Sequence, residues 1–597
     1  MLPDIPYRKG TAKKIQNVFG GLDAQEASVN GAIRSMTNMS GDRYPMLATR
    51  QYRYNLPLWS VYTEQTHTQA EITDPHGMFW AGAMYVVDGT KLYKDGVQVT
   101  GVTLQDNEKV MCGLGERVII WPDKVVYDPR TNPSTGQPVG LKSLEAETSV
   151  TGLKFEDGTF DGEEAEMNTI THPNSSFNWA TIFSVGDAVT ITGCSQTENN
   201  RTPIIREIDG RYLRFYENTF TGTSPVTENG SVTLKRGCPD LDFLCTNENR
   251  VWGCKDDTIW CSKMGDPTNW YVFDDISTSS WSVESGTPGK FTGCVSYMGY
   301  PCFFKENRVF KVYGSRPKNF EVLSSATLGV LPGAAKTMAV AAETLIYLSR
   351  AGFTAYTGGI PSPIGAPLGL TKFVGGVAGS DGIRYYVSAE LLDGSRELYV
   401  YDAIKRMWFK EDLLNCQYMA WNGSALQLQA LTSERVIHTN DGGIILMEEG
   451  GDDTAEPDDE EEEAELQELE IVHNLKVMKF YGKAPQVSAT NGVEKEPDFL
   501  GQVLFGDFDM QTFDSKYPVR LWLRASANTG VKLKVQIKYD NGVYETAAEY
   551  EPGPKGQDYF PVPIRRCEHW SVAIGGRGPW KLWAMEQEYY AGTEARR

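Results

Sequence analysis

The chain has 597 residues, 41% of them hydrophobic and 11% aromatic, with 59 glycines and a net charge of −21. It is too long for a single hydrophobic core, so two to four domains are expected, and the composition excludes a disordered or collagen-like chain. The acidic balance argues against a sequence-reading nucleic-acid binder, which carries a basic face. Fourteen of the negative charges fall between Glu448 and Glu470, where no Lys or Arg occurs; without them the net charge of −21 becomes −7. No stretch reaches about 18 apolar residues, so no transmembrane helix is expected. The opening MLPDIPYRKGTAKK lacks the apolar core of a signal peptide.

Residues 1–55 are polar and glycine-rich with weak periodicity, and read as an N-terminal arm that either closes a propeller or packs on a neighbouring subunit. From Gly77 to Glu448 one pattern returns about seven times: a hydrophobic run, a turn, and a second run ending in an aromatic. A hairpin cannot bury its apolar face alone, whereas hairpins repeated around an axis can, which predicts a β-propeller. The first blades span 56–129, with Asp88-Gly89 and Asp95-Gly96 as hairpin turns. Residues 130–236 break the repeat and read as a small β-barrel inserted in a propeller loop, with a turn at Asp209-Gly210.

The blades resume over 237–448. The clearest copies are CTNENRVWGCKDDTIWCS (Cys245 to Ser262) and FFKENRVFKVYG (Phe303 to Gly314), each with Glu-Asn-Arg at the turn. Residues 449–470 form an acidic low-complexity loop that cannot bury surface. Residues 471–597 read as a C-terminal β domain of sandwich type, with Asn541-Gly542 as a hairpin turn. The fold class expected is therefore all-β: a propeller of about six to seven blades, an inserted small β-barrel and a C-terminal β-sandwich-like domain.

No chemistry-bearing constellation emerges. The six histidines, His67, His76, His172, His438, His473 and His569, have no metal-motif spacing, and the ten cysteines read as small buried hydrophobes of a reducing cytosol. Gly286-Thr287-Pro288-Gly289-Lys290-Phe291-Thr292 imitates a phosphate loop, but Glu284 replaces its first glycine and Phe291 its Mg²⁺-binding hydroxyl. Thr439-Asn440-Asp441-Gly442-Gly443 resembles a sialidase Asp-box turn without the trailing Trp. Asp256-Asp257 and Asp274-Asp275 are turn-like acid pairs, and most of the 14 Trp fall on strand positions suited to blade cores. No enzyme is expected, and no catalytic, cofactor-binding or metal residue is named.

FFKENRVFKVYGSRPKNFEV followed by LGVLPGAAKTMAVAAETLIYLSRAGFTAYTGG, and the later RLWLRASANTGVKLKVQIKYD, resemble in pattern and order the tail nozzle, or DNA stabilization, proteins of short-tailed bacteriophages. The likeness covers roughly residues 240–590; the insertion at 130–236 and the acidic run depart from that plan. The resemblance implies a non-enzymatic virion protein, assembled in the host cytoplasm. Six copies would form a ring below the portal and adaptor, continuing the DNA exit channel and retaining then releasing the genome. Its partners would be its own copies, portal, adaptor and other tail proteins, and double-stranded DNA in transient, non-specific passage. A conduit must not grip its cargo, since each Lys or Arg facing phosphate adds counterion-release affinity. The narrowest part of the assembled channel is thus expected to be acidic or neutral polar. A tail-tip or baseplate propeller of a long-tailed phage, and a glycan-binding or glycan-cleaving propeller, remain alternatives.

Overall fold

Two-residue turns reverse strands onto their predecessors at Asp95-Gly96, as the sequence places it, and one residue later than expected at Gly89-Thr90 and Gly210-Arg211, whereas Asn541-Gly542 lies within a longer loop between Ile537 and Glu545. Asp95 and Gly96 both have positive φ (47° and 83°), as do Glu248 and Asn249 (48° and 59°). Positive φ at both turn residues matches the right-handed twist of the flanking strands. The structure, a computed structural model, describes residues 11–25, 31–63, 65–156, 160–161, 164–165, 168–215, 219–220, 226–274, 276–421, 428–435, 473–487, 491–553 and 558–591. Among these the only helical elements are short 3₁₀ turns, so the fold is all-β, and its blade-like sheets are those of a β-propeller. No helix is long and apolar enough to cross a membrane.

The chain divides into two compact units, residues 58–335 and residues 1–57 with 336–597. The 58–335 unit holds four antiparallel sheets that begin with strands Pro75–Trp80, Val110–Leu114, Phe243–Asn247 and Gly293–Tyr297. Each is a meander of four strands in sequence order; the hairpin Leu58–Tyr62/His67–Ala70 extends the first beyond its outer strand. Within this unit the four opening strands neighbour one another in turn, as the axial strands of propeller blades do. The sheets pack face to face through dry cores. Tyr85, Val87 and Leu92 of the first meet Val118, Ile120 and Tyr127 of the second, and Trp252, Cys254 and Cys261 of the third meet Phe303 and Phe310 of the fourth. Burying each such side chain contributes about 1.5–3 kcal/mol, so alternate strand positions must be apolar, which is the period the sequence shows.

The insertion begins later than expected. Residues 130–143 stay in the propeller, because Pro138–Ser143 is the fourth strand of the second sheet, reached across a bulge between Asp128 and Thr131. The inserted domain is then two sheets: one of Ala146–Thr151, Ser231–Arg236 and Thr190–Thr192, the other of five strands around Asn168–Thr171 and Tyr212–Phe215. Trp179, Phe155, Ile170, Phe183 and Leu234 fill the space between them, and no closed barrel forms among the described residues. Asp187 anchors it: Arg236 Nη1 donates to Asp187 Oδ2 at 2.6 Å and Asn269 Nδ2 to Asp187 Oδ1 at 3.0 Å, while the Ala188 amide donates to Asn269 Oδ1 at 3.1 Å.

The second unit carries three further blade-type sheets, opening with Ala339–Ala341, Phe373–Ser380 and Asn415–Trp421. The last contains two surprises. Leu428–Arg435 pairs antiparallel with His473–Lys479, Arg435 lying opposite His473, so the strands that precede and follow the acidic run in sequence are neighbours in one propeller sheet. His473–Lys479, expected in the C-terminal domain, is a blade strand, and Tyr54–Leu56 from the opposite end of the sequence pairs with it. The acidic run itself lies outside the described residues.

The described strands of the N-terminal arm pair within this chain, with the C-terminal sandwich and with the last propeller sheet. Ala12–Gln16 pairs with Trp580–Ala591 and Leu47–Thr49 pairs with the same strand, in one sheet of the C-terminal sandwich. Ile33–Thr37 pairs with Leu500–Phe505 in the other. These strands have unsatisfied edges that the C-terminal strands complete, and an exposed row of unpaired backbone groups is what folding removes. Between the strands, the Leu22 amide donates to the Trp408 carbonyl at 2.6 Å along the sixth sheet. A Cβ at Gly21 would stand 2.5 Å from that same oxygen, so only glycine fits there.

Candidate functional site

In a propeller the opening strand of each sheet lines the central channel. The seven opening strands contain no Asp, Glu, Lys or Arg: PHGMFW, VMCGL, FLCTN, GCVSY, AVA, FVGGVAGS and NCQYMAW. A glycosidase needs two carboxyl groups held about 5–10 Å apart across a bond, and these strands offer none. The one histidine among them is His76.

The acid pairs noted in the sequence are engaged elsewhere. On the turn between Arg250–Lys255 and Thr258–Cys261, Asp256 meets Lys290 Nζ at 2.7 Å and Asp257 meets Lys305 Nζ at 2.5 Å. The Lys290 hydrogen bond holds the Asp256 carboxyl below its ordinary value. Burial pushes Asp257 up, but hydrogen bonds from Lys305 and Ser285 outweigh it and leave that carboxyl low as well. Asp274 accepts from the Ser279 hydroxyl, and Asp275 lies outside the described residues.

The phosphate-loop imitation is resolved as a connector between the third and fourth sheets. Lys290 is taken by Asp256, Phe291 is buried in the core, and a strand follows where a phosphate loop would open a helix. Ser285 lies beside the buried Lys305 amine (Oγ to Nζ 2.9 Å), an arrangement that superficially suggests a Ser-Lys nucleophile. That amine also donates to the Thr287 carbonyl at 2.6 Å and to Asp257, so it ties the connector to the turn at Asp256-Asp257. Thr439 to Gly443 fall outside the described residues.

The densest charge cluster belongs to the second unit. Arg53, almost fully buried, donates to Glu411 Oε2 at 2.6 Å and Asp412 Oδ2 at 2.7 Å, and lies 4.7 Å over the Phe480 ring. Arg50 reaches Glu496 Oε2 at 3.1 Å and Asn38 Oδ1 at 2.7 Å and stacks 4.0 Å over Phe499. Burial pushes Asp412 up, and the two guanidinium groups more than offset it, so its carboxyl sits below its ordinary value. For Glu411 burial prevails and the carboxyl sits above it. Beside this cluster a narrow polar cleft is lined by Asp42, Arg384, Tyr386, Asp402 and Tyr481, with Arg384 Nη2 2.7 Å from Asp42 Oδ1. Arg50 and Arg53 pair with Glu411, Asp412 and Glu496, and Asp42 with Arg384, so the cluster joins the N-terminal segment to the propeller strands.

The histidines are mostly structural. His172 stacks on Phe177 (3.8 Å between ring centroids), His67 packs against Tyr62, and His569 lies 3.7 Å from Asp540. His438 and the His473 side chain lie outside the described residues. His76 differs: its Nε2 is 2.9 Å from Asp106 Oδ1 and 3.3 Å from Asp74 Oδ2. Sequence spacing hid this group, since one partner is thirty residues away and only the fold brings it close. All ten cysteines are free and buried; burial is the main influence that pushes Cys261 and Cys302 up to about 12.

No family model matches the chain, and no curated protein matches it. Among solved structures it is similar to an exo-β-1,3-galactanase from Phanerochaete chrysosporium (10% identity, 58% of this chain, 94% of that one, TM-score 0.19). It is also similar to BBS1N in complex with ARL6DN (12%, 58%, 96%, TM-score 0.22) and to a eukaryotic initiation factor (9%, 65%, 92%, TM-score 0.26). Likenesses at these scores carry no statement about function.

Proposed function

We propose that this protein is a structural, non-enzymatic component of a short-tailed phage tail. Its copies assemble into a ring, six-membered by the resemblance noted above, that continues the DNA exit channel below the portal and adaptor. The observation that supports the non-enzymatic part is the opening strands of the blade sheets, four in one unit and three in the other, which carry no carboxylate, Lys or Arg. The interlocking of the two chain ends supports the mechanical part. Strands from the N-terminal 56 residues complete both sheets of the C-terminal sandwich and the last propeller sheet, so force applied at either end is borne by antiparallel ladders rather than by a linker.

Native mass spectrometry and electron microscopy of the purified full chain, with proteomics of particles, test this reading. Closed rings, and the polypeptide in virions, are expected. A monomer that hydrolyses a polysaccharide and is absent from particles would overturn it.

A further inference from the structure

We propose that Asp74, His76 and Asp106 form a binding site for a divalent transition cation of the Zn²⁺ or Mn²⁺ class at the start of the first propeller sheet. The proposal is independent of ring assembly. The three ligand atoms lie within 4.8 Å of one another, with Nε2 2.9 Å and 3.3 Å from the two carboxylate oxygens. Ligands bound at about 2.0–2.2 Å to one metal are necessarily about 3–4 Å apart, so little rearrangement is required.

Each arm sits on hydrogen-bonded backbone, Lys109 serving two of them. Pro75 restricts Asp74 to extended backbone, and the Thr73 and Asp74 amides both donate to Asp88 Oδ1, at 3.0 and 2.8 Å. His76 sits in strand Pro75–Trp80, and its carbonyl accepts from the Lys109 amide at 2.8 Å. Asp106 belongs to a turn pinned from beneath: the buried Lys109 amine donates to the Gln105 carbonyl at 2.8 Å, and the Gln105 amide donates to Asp123 Oδ1 at 2.6 Å. Preorganised ligands on anchored backbone distinguish a site from a chance encounter of side chains.

The electrostatics call for a cation. Two carboxylates converge on one imidazole, and among the described residues neither lies within ion-pair distance of a Lys or Arg. One nitrogen and two oxygens suit Zn²⁺ or Mn²⁺; Ca²⁺ and Mg²⁺ prefer all-oxygen shells of six or more. The carboxylates are 60% and 64% exposed, which leaves room for water to complete the shell, while the imidazole is only 14% exposed and fixed in place. A bound ion would tie the first axial strand to the connector leading into the second.

The test is calorimetric titration of the full chain, stripped with chelator, using ZnCl₂, and electron paramagnetic resonance using MnCl₂. One equivalent of metal is expected to bind, at least tenfold more weakly in His76→Ala and in Asp106→Asn. His76→Gln keeps a hydrogen bond to Asp106 but loses the imidazole ligand, and is expected to behave as His76→Ala while retaining the native circular dichroism spectrum. Metal binding of equal strength in wild type and variants, or none tighter than millimolar, would overturn the proposal and leave a hydrogen-bonded His-carboxylate group.

Discussion

Replacing Arg53 by Ala probes the buried charge cluster that joins the N-terminal segment to the propeller. The guanidinium lies 2.6 Å from Glu411, which is buried, and 2.7 Å from Asp412, which is partly buried. Two unit charges 4 Å apart attract by about 4 kcal/mol at an effective dielectric of 20, so two such contacts amount to roughly 8 kcal/mol gross. Desolvating the ions takes back several kcal/mol. Arg50, 3.5 Å from Asp412 and 3.9 Å from Glu411, partly compensates the loss. The expected net cost is about 3–5 kcal/mol, the usual penalty for leaving a buried charge without its partner. Adding Glu411→Gln removes one stranded carboxylate and is expected to restore at least about 1 kcal/mol, because contacting residues couple. A chain of this length does not unfold as one unit. The readout is therefore native-state hydrogen exchange of Tyr54–Leu56 and His473–Lys479, which gives the local opening free energy. A single-variant cost below about 1 kcal/mol, or a double variant no better than the single, would refute the reasoning.

Arg250 is nearly fully buried and donates to the carbonyls of Ser262 (2.9 Å) and Ser277 (2.6 Å) as well as Ser279, stapling the long connection before strand Trp281–Glu284. Arg250→Ala is expected to cost about 2–4 kcal/mol by orphaning those acceptors, and Arg250→Lys, lacking the planar fork, is not expected to rescue it; limited proteolysis between 263 and 280 reports both. Burial pushes Asp266 up, but hydrogen bonds from Thr268 and Asn269 outweigh it and hold its carboxyl below the ordinary value. A depressed carboxyl contributes stability that is complete above the unfolded-state pKa of about 4 and is lost as pH falls through the lower folded value. Hydrogen exchange around 263–270 should thus show Asp266→Asn destabilised at pH 7, with the difference from wild type vanishing as pH falls below 4. Because Arg435 lies directly opposite His473, replacing residues 436–472 with Asn-Gly should close an ordinary hairpin and leave the circular dichroism spectrum and thermal unfolding close to those of the intact chain; loss of the fold would mean that the excised segment packs on it.

The local grammar of this protein was readable in one dimension. Asp95-Gly96, Glu248-Asn249 and the alternating strands around Trp252, Phe303 and Tyr399 announce hairpins, since turn geometry and period-two burial depend on neighbours a few residues apart. Pairings over long separations were not readable in this way. That Ala12–Gln16 lies against Trp580–Ala591, that His473–Lys479 is a blade strand, that Arg53 meets Glu411 and that Asp106 meets His76 all depend on which edges and charges the folded chain brings together. A strand's own sequence states which face it buries; which partner covers its open edge is settled only when competing edges are satisfied at once, and that is a property of the tertiary structure.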